Sequence, residues 1–324
     1  MSECVQQLPL PCLKLGEGPY WVEQQQALLV VDVNNNTLIK YYVNSGRIQH
    51  LHIAAEGVGE EAVVSMAIPV EGREDLWVVG LGNTLSVVRW AESDPDDHTA
   101  RSTIIHTTKD YQFNDAKCDP QGRLWIGTMS KLNDQLEPIN PKTCFLYKYD
   151  HQLDLTTWAK DTSLSNGMAW SSDKKHFYFA DSFDRCVYHF DYNDDEGSIS
   201  GQRVLLDFET AGLTGVPDGM TIDQEDNLWL ACFSANKVVC VDPNQQKVVR
   251  SVSVPSKSVT SVCWGGKDYG TLYVTSGTIK MTMEERAALP SAGGTFAITG
   301  LGTRGRPPLT FKPDLTKLKA KLTQ

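Results

Sequence analysis

The sequence predicts an all-β fold, a six-bladed β-propeller with a central metal site, and three observations carry the blade count. A plan of polar residue, small residue and short apolar run, then a polar turn and a second apolar run, occurs six times. Ser165-Asn166-Gly167-Met168-Ala169-Trp170 followed by Phe177-Tyr178-Phe179-Ala180-Asp181 is one copy, and Pro217-Asp218-Gly219-Met220-Thr221-Ile222 followed by Leu228-Trp229-Leu230-Ala231 is another. Each copy reads as a β-hairpin. The second strand begins 10 to 12 positions after the first residue of the copy, and the copies start at Glu17, Val64, Asn114, Asn166, Asp218 and Thr260. Those starts stand 47, 50, 52, 52 and 42 residues apart, the period of a four-stranded propeller blade.

Taken in order, the blades fill the chain from about residue 15 to 302 as one domain, with 303–324 as a C-terminal surface extension. In the first blade, Leu28 to Asp32 and Thr37 to Tyr42 flank the turn formers Asn34-Asn35-Asn36. Ile48 to Ile53 alternates, which puts His50 and His52 on one solvent-facing side of a strand. The acidic run 92–97 after the second blade lacks the glycine and terminal glutamate of an EF-hand loop and reads as a solvated connection. The third blade is interrupted by 130–142, a stretch long enough to cover a binding site as a lid. A short helical insertion over 283–289, ended by Pro290, precedes the last strand of the sixth blade.

In a propeller the innermost strands run along a central channel, and residues in matching register form a ring around it. That ring comprises Glu17, Val64, Asn114, Asn166, Asp218 and Thr260. Carboxylates and carboxamides gathered on one axis are costly to desolvate unless they are paired or hold a cation. A divalent ion with oxygen ligands answers that cost, and a water-filled polar channel is the plainer alternative.

A net charge of −10 and a pI near 5.2 oppose nucleic acid and anionic membranes as partners, since both require a positive face. A small neutral or cation-associated ligand fits better. Residues 1–14 show no basic segment followed by an apolar stretch, so no signal peptide is expected. The eight cysteines form no CxxC pair, and free thiols in a cytoplasmic monomer or weak homodimer are expected.

Gly16-Glu17-Gly18-Pro19-Tyr20-Trp21, Phe113-Asn114-Asp115 with Asp119-Pro120 and Gly127-Thr128-Met129, Ser165-Asn166-Gly167, Pro217-Asp218-Gly219 and Ile298-Thr299-Gly300-Leu301-Gly302 follow one another along nearly the whole chain. Together they resemble the family of senescence marker protein (regucalcin), gluconolactonases and insect luciferin-regenerating enzymes. The resemblance implies a propeller with one divalent cation in its channel and lactone hydrolysis as its activity. It implies Glu17, Asn166 and Asp218 as the metal ligands, Asp218 also as the group that moves the proton, and Asn114 as a substrate contact. Asp115, in a neighbouring register, is a second candidate base and a further substrate contact. The chain departs from the family pattern at two sugar-contact positions. Gln112 stands where vertebrate members carry arginine, and Ser130-Lys131-Leu132 follows Gly-Thr-Met where they carry acidic residues. Losing an arginine removes charge-assisted hydrogen bonds, so the expected substrate is a lactone or ester less polar than an aldonolactone.

The expectation is therefore a lactone or ester hydrolase dependent on one divalent cation (Ca, Zn, Mn or Mg). A luciferin-regenerating type of enzyme acting on an aromatic heterocycle, a non-catalytic calcium-binding regulator and a protein-docking platform are the alternatives.

Overall fold

The structure, a computed structural model, describes residues 3–54, 62–108, 111–133 and 135–323. Six sheets, antiparallel except for one added edge strand, stand around a central channel, and each has one of the repeated segments as its innermost strand. Those strands are Gly16–Val22, Val64–Val70, Gln112–Cys118, Ser165–Trp170, Val216–Ile222 and Ser258–Gly265. The architecture is a six-bladed β-propeller, as the repeat predicts.

Two devices make the hairpins. The turn after the third inner strand is held by Asp119, whose carboxylate accepts from Gln121 N and Arg123 N at 3.0 Å each and from Trp125 Nε1 at 3.0 Å. Asp223 does the same in the fifth blade, accepting from Glu225 N at 3.0 Å, Asn227 N at 2.8 Å and Trp229 Nε1 at 2.9 Å. An Asx-type turn and the indole of the next strand are thus joined by one side chain. The tryptophans then fill the gaps between blades. Trp125 packs on Phe177 with ring centroids 5.2 Å apart, and Trp229 meets Trp264 edge-on at 5.5 Å.

Both ends of the chain enter the fold. Cys4–Gln7 pairs with Phe296–Thr299, so the fourth strand of the sixth blade comes from the N-terminus and the ring of blades is closed by hydrogen bonds. The segment after 302 is more than a surface extension. It crosses the face of the propeller opposite the ring residues, where Gly305 pairs with Asp223 and Phe311 with Val70, and Phe311 and Leu318 are buried. Apolar side chains at 311 and 318, spaced among lysines and prolines, are the reason it docks.

Other expectations differ in detail. Asp97–Arg101, partly drawn from the acidic run, adds a fifth strand parallel to Ile48–Ala54. Beside it His52 is exposed and His50 half-buried. The insertion helix spans Met283–Ala288, with a capping box between Thr282 and Glu285. All eight cysteines are free. Among the described residues no helix is long and apolar enough to cross a membrane.

Candidate metal centre and its chamber

Every inner strand carries a register shift at its ring residue. The shifts lie between Glu17 and Tyr20, Val64 and Met66, Phe113 and Ala116, Ser165 and Met168, Pro217 and Met220, and Val259 and Ser261. A bulge frees a residue from the ladder and re-aims its side chain, and four of the six expected ring residues reach the channel, while Val64 and Thr260 are buried away from it. The small residues beside them let the strands close in. A Cβ on Gly219 would lie 2.0 Å from Ser261 Oγ.

Glu17, Asn114, Asn166 and Asp218 consequently line one cavity of about 570 Å³ at the mouth of the channel. Asn114 Nδ2 donates to Asn166 Oδ1 at 3.0 Å and to Ser165 O at 2.9 Å. Asn166 Nδ2 donates to Ser182 Oγ at 2.7 Å, and that hydroxyl donates to Pro217 O at 2.7 Å. Nδ2 thus fixes the Asn166 amide, and its oxygen, which accepts from Asn114, keeps a second lone pair. Val64 is apolar, and Thr260 instead ties the last blade to the first through Gly16 O at 2.5 Å.

The acids of this site oppose one another. Burial, followed by the charge of Asp115, pushes the Glu17 carboxyl up to about 8 against a small opposing hydrogen bond from Gly18 N. Burial, followed by the charges of Glu17 and Asp115, holds Asp218 well above the usual carboxylate range. Three carboxyls within electrostatic reach in a desolvated channel keep protons unless a counter-charge is supplied. The donor set of two carboxylates and an amide oxygen fits a hard divalent cation.

Gln112 and Leu132 line the same mouth as Asn114, and Gln135, Leu136 and Glu137 of the 130–142 connection join them. That connection therefore forms part of the cavity wall, with Asp134 outside the described residues. Asp115 lies elsewhere. Asn114 lines the mouth, and Asp115 after it lines a second chamber of about 390 Å³ deeper in the channel, shared with Lys117 and capped by 306–309 of the C-terminal segment. Burial comes first in raising the Asp115 carboxyl, with Lys117 opposing it, and Lys117 Nζ donates to Met220 O at 2.5 Å. Ser182, Lys117 and Phe183 escaped sequence reasoning, because each lies outside the repeated ring register and only the fold brings it to the axis.

A separate cluster lies on the outer strands of the fourth blade. His176 Nδ1 and His189 Nε2 are 2.9 Å apart, and Arg203 reaches both His189 Nε2 at 3.1 Å and Asp191 Oδ1 at 2.9 Å. A fixed guanidinium among these groups opposes a second cation, and the cluster is distinct from the channel.

Residues 15–278 match the model of the "SMP-30/Gluconolactonase/LRE-like region". Regucalcin of Gallus gallus is 34% identical over 303 residues, covering 92% of this chain and 95% of that protein. Human regucalcin is 33% identical over 311 residues, covering 95% and 97%. The solved structure of a luciferin-regenerating enzyme superposes with a TM-score of 0.86 at 32% identity, covering 96% of this chain and 100% of that one. Motif order, bulged ring and these likenesses agree, and the chain belongs to the SMP-30/gluconolactonase/LRE-like family.

Proposed function

We propose that this protein hydrolyses a lactone or related ester with the help of one divalent cation held by Glu17, Asn166 and Asp218. The observation that carries the reading is the convergence of two mutually repelling carboxyls and an amide oxygen at the mouth of a channel. A hard cation bound there supplies positive charge that polarises an ester carbonyl and acidifies water. Asp218 then holds the proton taken from the attacking water and returns it to the ring oxygen as the C–O bond breaks, general base and acid in turn. Asn114 sits on the same wall, with both N–H groups given to Asn166 and Ser165, and its own oxygen is left to accept from a donor on the substrate or from the attacking water. The 130–142 connection excludes bulk water.

Asp115 faces the deeper chamber, so Asp218 is the better placed base. A second reading, turnover of an aromatic heterocycle, is favoured by the likeness to the luciferin-regenerating enzyme and by Phe113, Phe183 and Phe233 in the cavity wall. Hydrolysis of a lactone panel with and without Mn²⁺, Zn²⁺, Mg²⁺ or Ca²⁺, repeated on Asp218→Ala, tests the proposal. Turnover that requires both cation and Asp218 supports it, and cation binding without turnover points to a non-catalytic calcium-binding role instead.

A further inference from the structure

We infer that the substrate is a lactone or ester bearing an alkyl or aryl substituent, not a polyhydroxylated sugar lactone; this rests on the hydrolase reading above. Leu132, Leu136, Leu164, Phe183, Phe233 and Ile279 line the mouth cavity, and each is half-buried, so each offers apolar surface to whatever enters. They come from the third, fourth, fifth and sixth blades or their connections, so the apolar wall runs around much of the opening. Leu136 is held with φ at 64°, a left-handed backbone that leucine rarely adopts. Asn133 holds it there, since its side chain accepts from Gln135 N and Glu137 N at 2.9 Å each. Strain of this kind persists where the surroundings enforce it and clusters at ligand clamps; here it brings a leucine to the cavity.

Several polar groups of the wall have partners already. Asn114, Asn166 and Ser182 bond to one another and to backbone carbonyls, and Lys257 Nζ lies 2.5 Å from Glu285 Oε1. No arginine stands among the described residues lining the mouth. A ring of sugar hydroxyls entering here would exchange water for apolar contacts, whereas a site built for hydroxyls offers them matched donors and acceptors. One carbonyl directed at the ring residues and an apolar substituent against Phe183 and Leu132 suits both halves of the cavity.

The test is kcat/KM of the full-length, cation-loaded protein on γ-lactones with alkyl substituents of increasing length, beside D-glucono-1,5-lactone. Each added methylene is expected to raise kcat/KM roughly threefold to fourfold until the cavity is filled, with gluconolactone at least about tenfold below the best alkyl lactone. A flat series, or gluconolactone as the better substrate, overturns the inference. If no lactone is turned over, the hydrolase reading fails by itself. Substrate class is then read from calorimetric binding of the corresponding alkyl lactams, whose affinity must rise with chain length for the inference to stand. In the variant Phe183→Ser/Leu132→Ser, with folding checked by circular dichroism, the chain-length dependence flattens; an unchanged slope in a folded variant also overturns the assignment.

Discussion

A Cβ at position 167 would lie 2.4 Å from Cβ of Met220, so the fourth and fifth inner strands pass each other closely at Gly167. That approach brings Asn166 and Asp218 to one cavity. Gly167→Ala forces the strands apart, and overpacking of this kind costs about 1–3 kcal/mol. The expected outcome is a lower urea midpoint together with loss of cation binding by calorimetry, while Gly46→Ala, at a loop position with open space around it, leaves cation binding intact.

The acids of the channel set a pH dependence in the cation-free protein. Glu17 is raised to about 8 from a reference of 4.5, so the folded state holds a proton in that window that the unfolded chain has released. Stability is then fully present below about pH 4.5 and falls as pH rises toward 8. Melting temperature in chelator should drop across that range, and a divalent cation should restore it. Glu17→Gln should flatten the pH profile and weaken cation affinity together.

Lys40 is fully buried in the first blade, with Nζ 4.0 Å from the ring centre of Trp90 and 4.9 Å from that of Trp77 and no hydrogen-bond partner. Desolvation lowers it from 10.5 to about 8. Its protonated form destabilises the fold below about pH 8, and stability is regained as pH rises from there to about 10.5. Lys40→Met should therefore raise stability at pH 7 by on the order of 2 kcal/mol, and the gain should shrink at pH 10. Chemical denaturation of both proteins at the two pH values checks this.

Asp119 is a hub. Its carboxylate pairs with Arg123 Nε at 2.6 Å and accepts from Tyr192 OH at 2.9 Å besides holding its turn. Asp119→Ala strands the buried Arg123, and breaking such a pair costs about 3–5 kcal/mol. Equilibrium unfolding should register that loss, while Asp119→Asn, which keeps the turn acceptors, should recover part of it.

The blade count and the ring were legible because the repeat recurs at a nearly regular spacing and its first residue is polar in five of the six copies. Glu17, Asn166 and Asp218 reach one cavity because each stands at the same register position. What escaped the sequence is non-local. Nothing in Cys4–Gln7 says that it will pair with Phe296–Thr299, since a four-residue edge strand has no period of its own. The tail 303–324 reads as polar and proline-rich, and its two anchoring side chains become meaningful only once the propeller supplies a groove. Asp115 and Asn114 are neighbours in sequence, so strand alternation separates their side chains, and only the fold shows that each side opens into its own chamber.

Closure by the first strand has a kinetic consequence. Cys4–Gln7 leaves the ribosome before anything it will bond to, and its partner belongs to the final blade. Pairings between such distant segments form slowly because the intervening chain must first be organised. Until then the sixth sheet has an open edge, a template for association with other chains. A bulky fusion at the N-terminus should therefore impair the yield of refolded protein far more than the same fusion placed after residue 324.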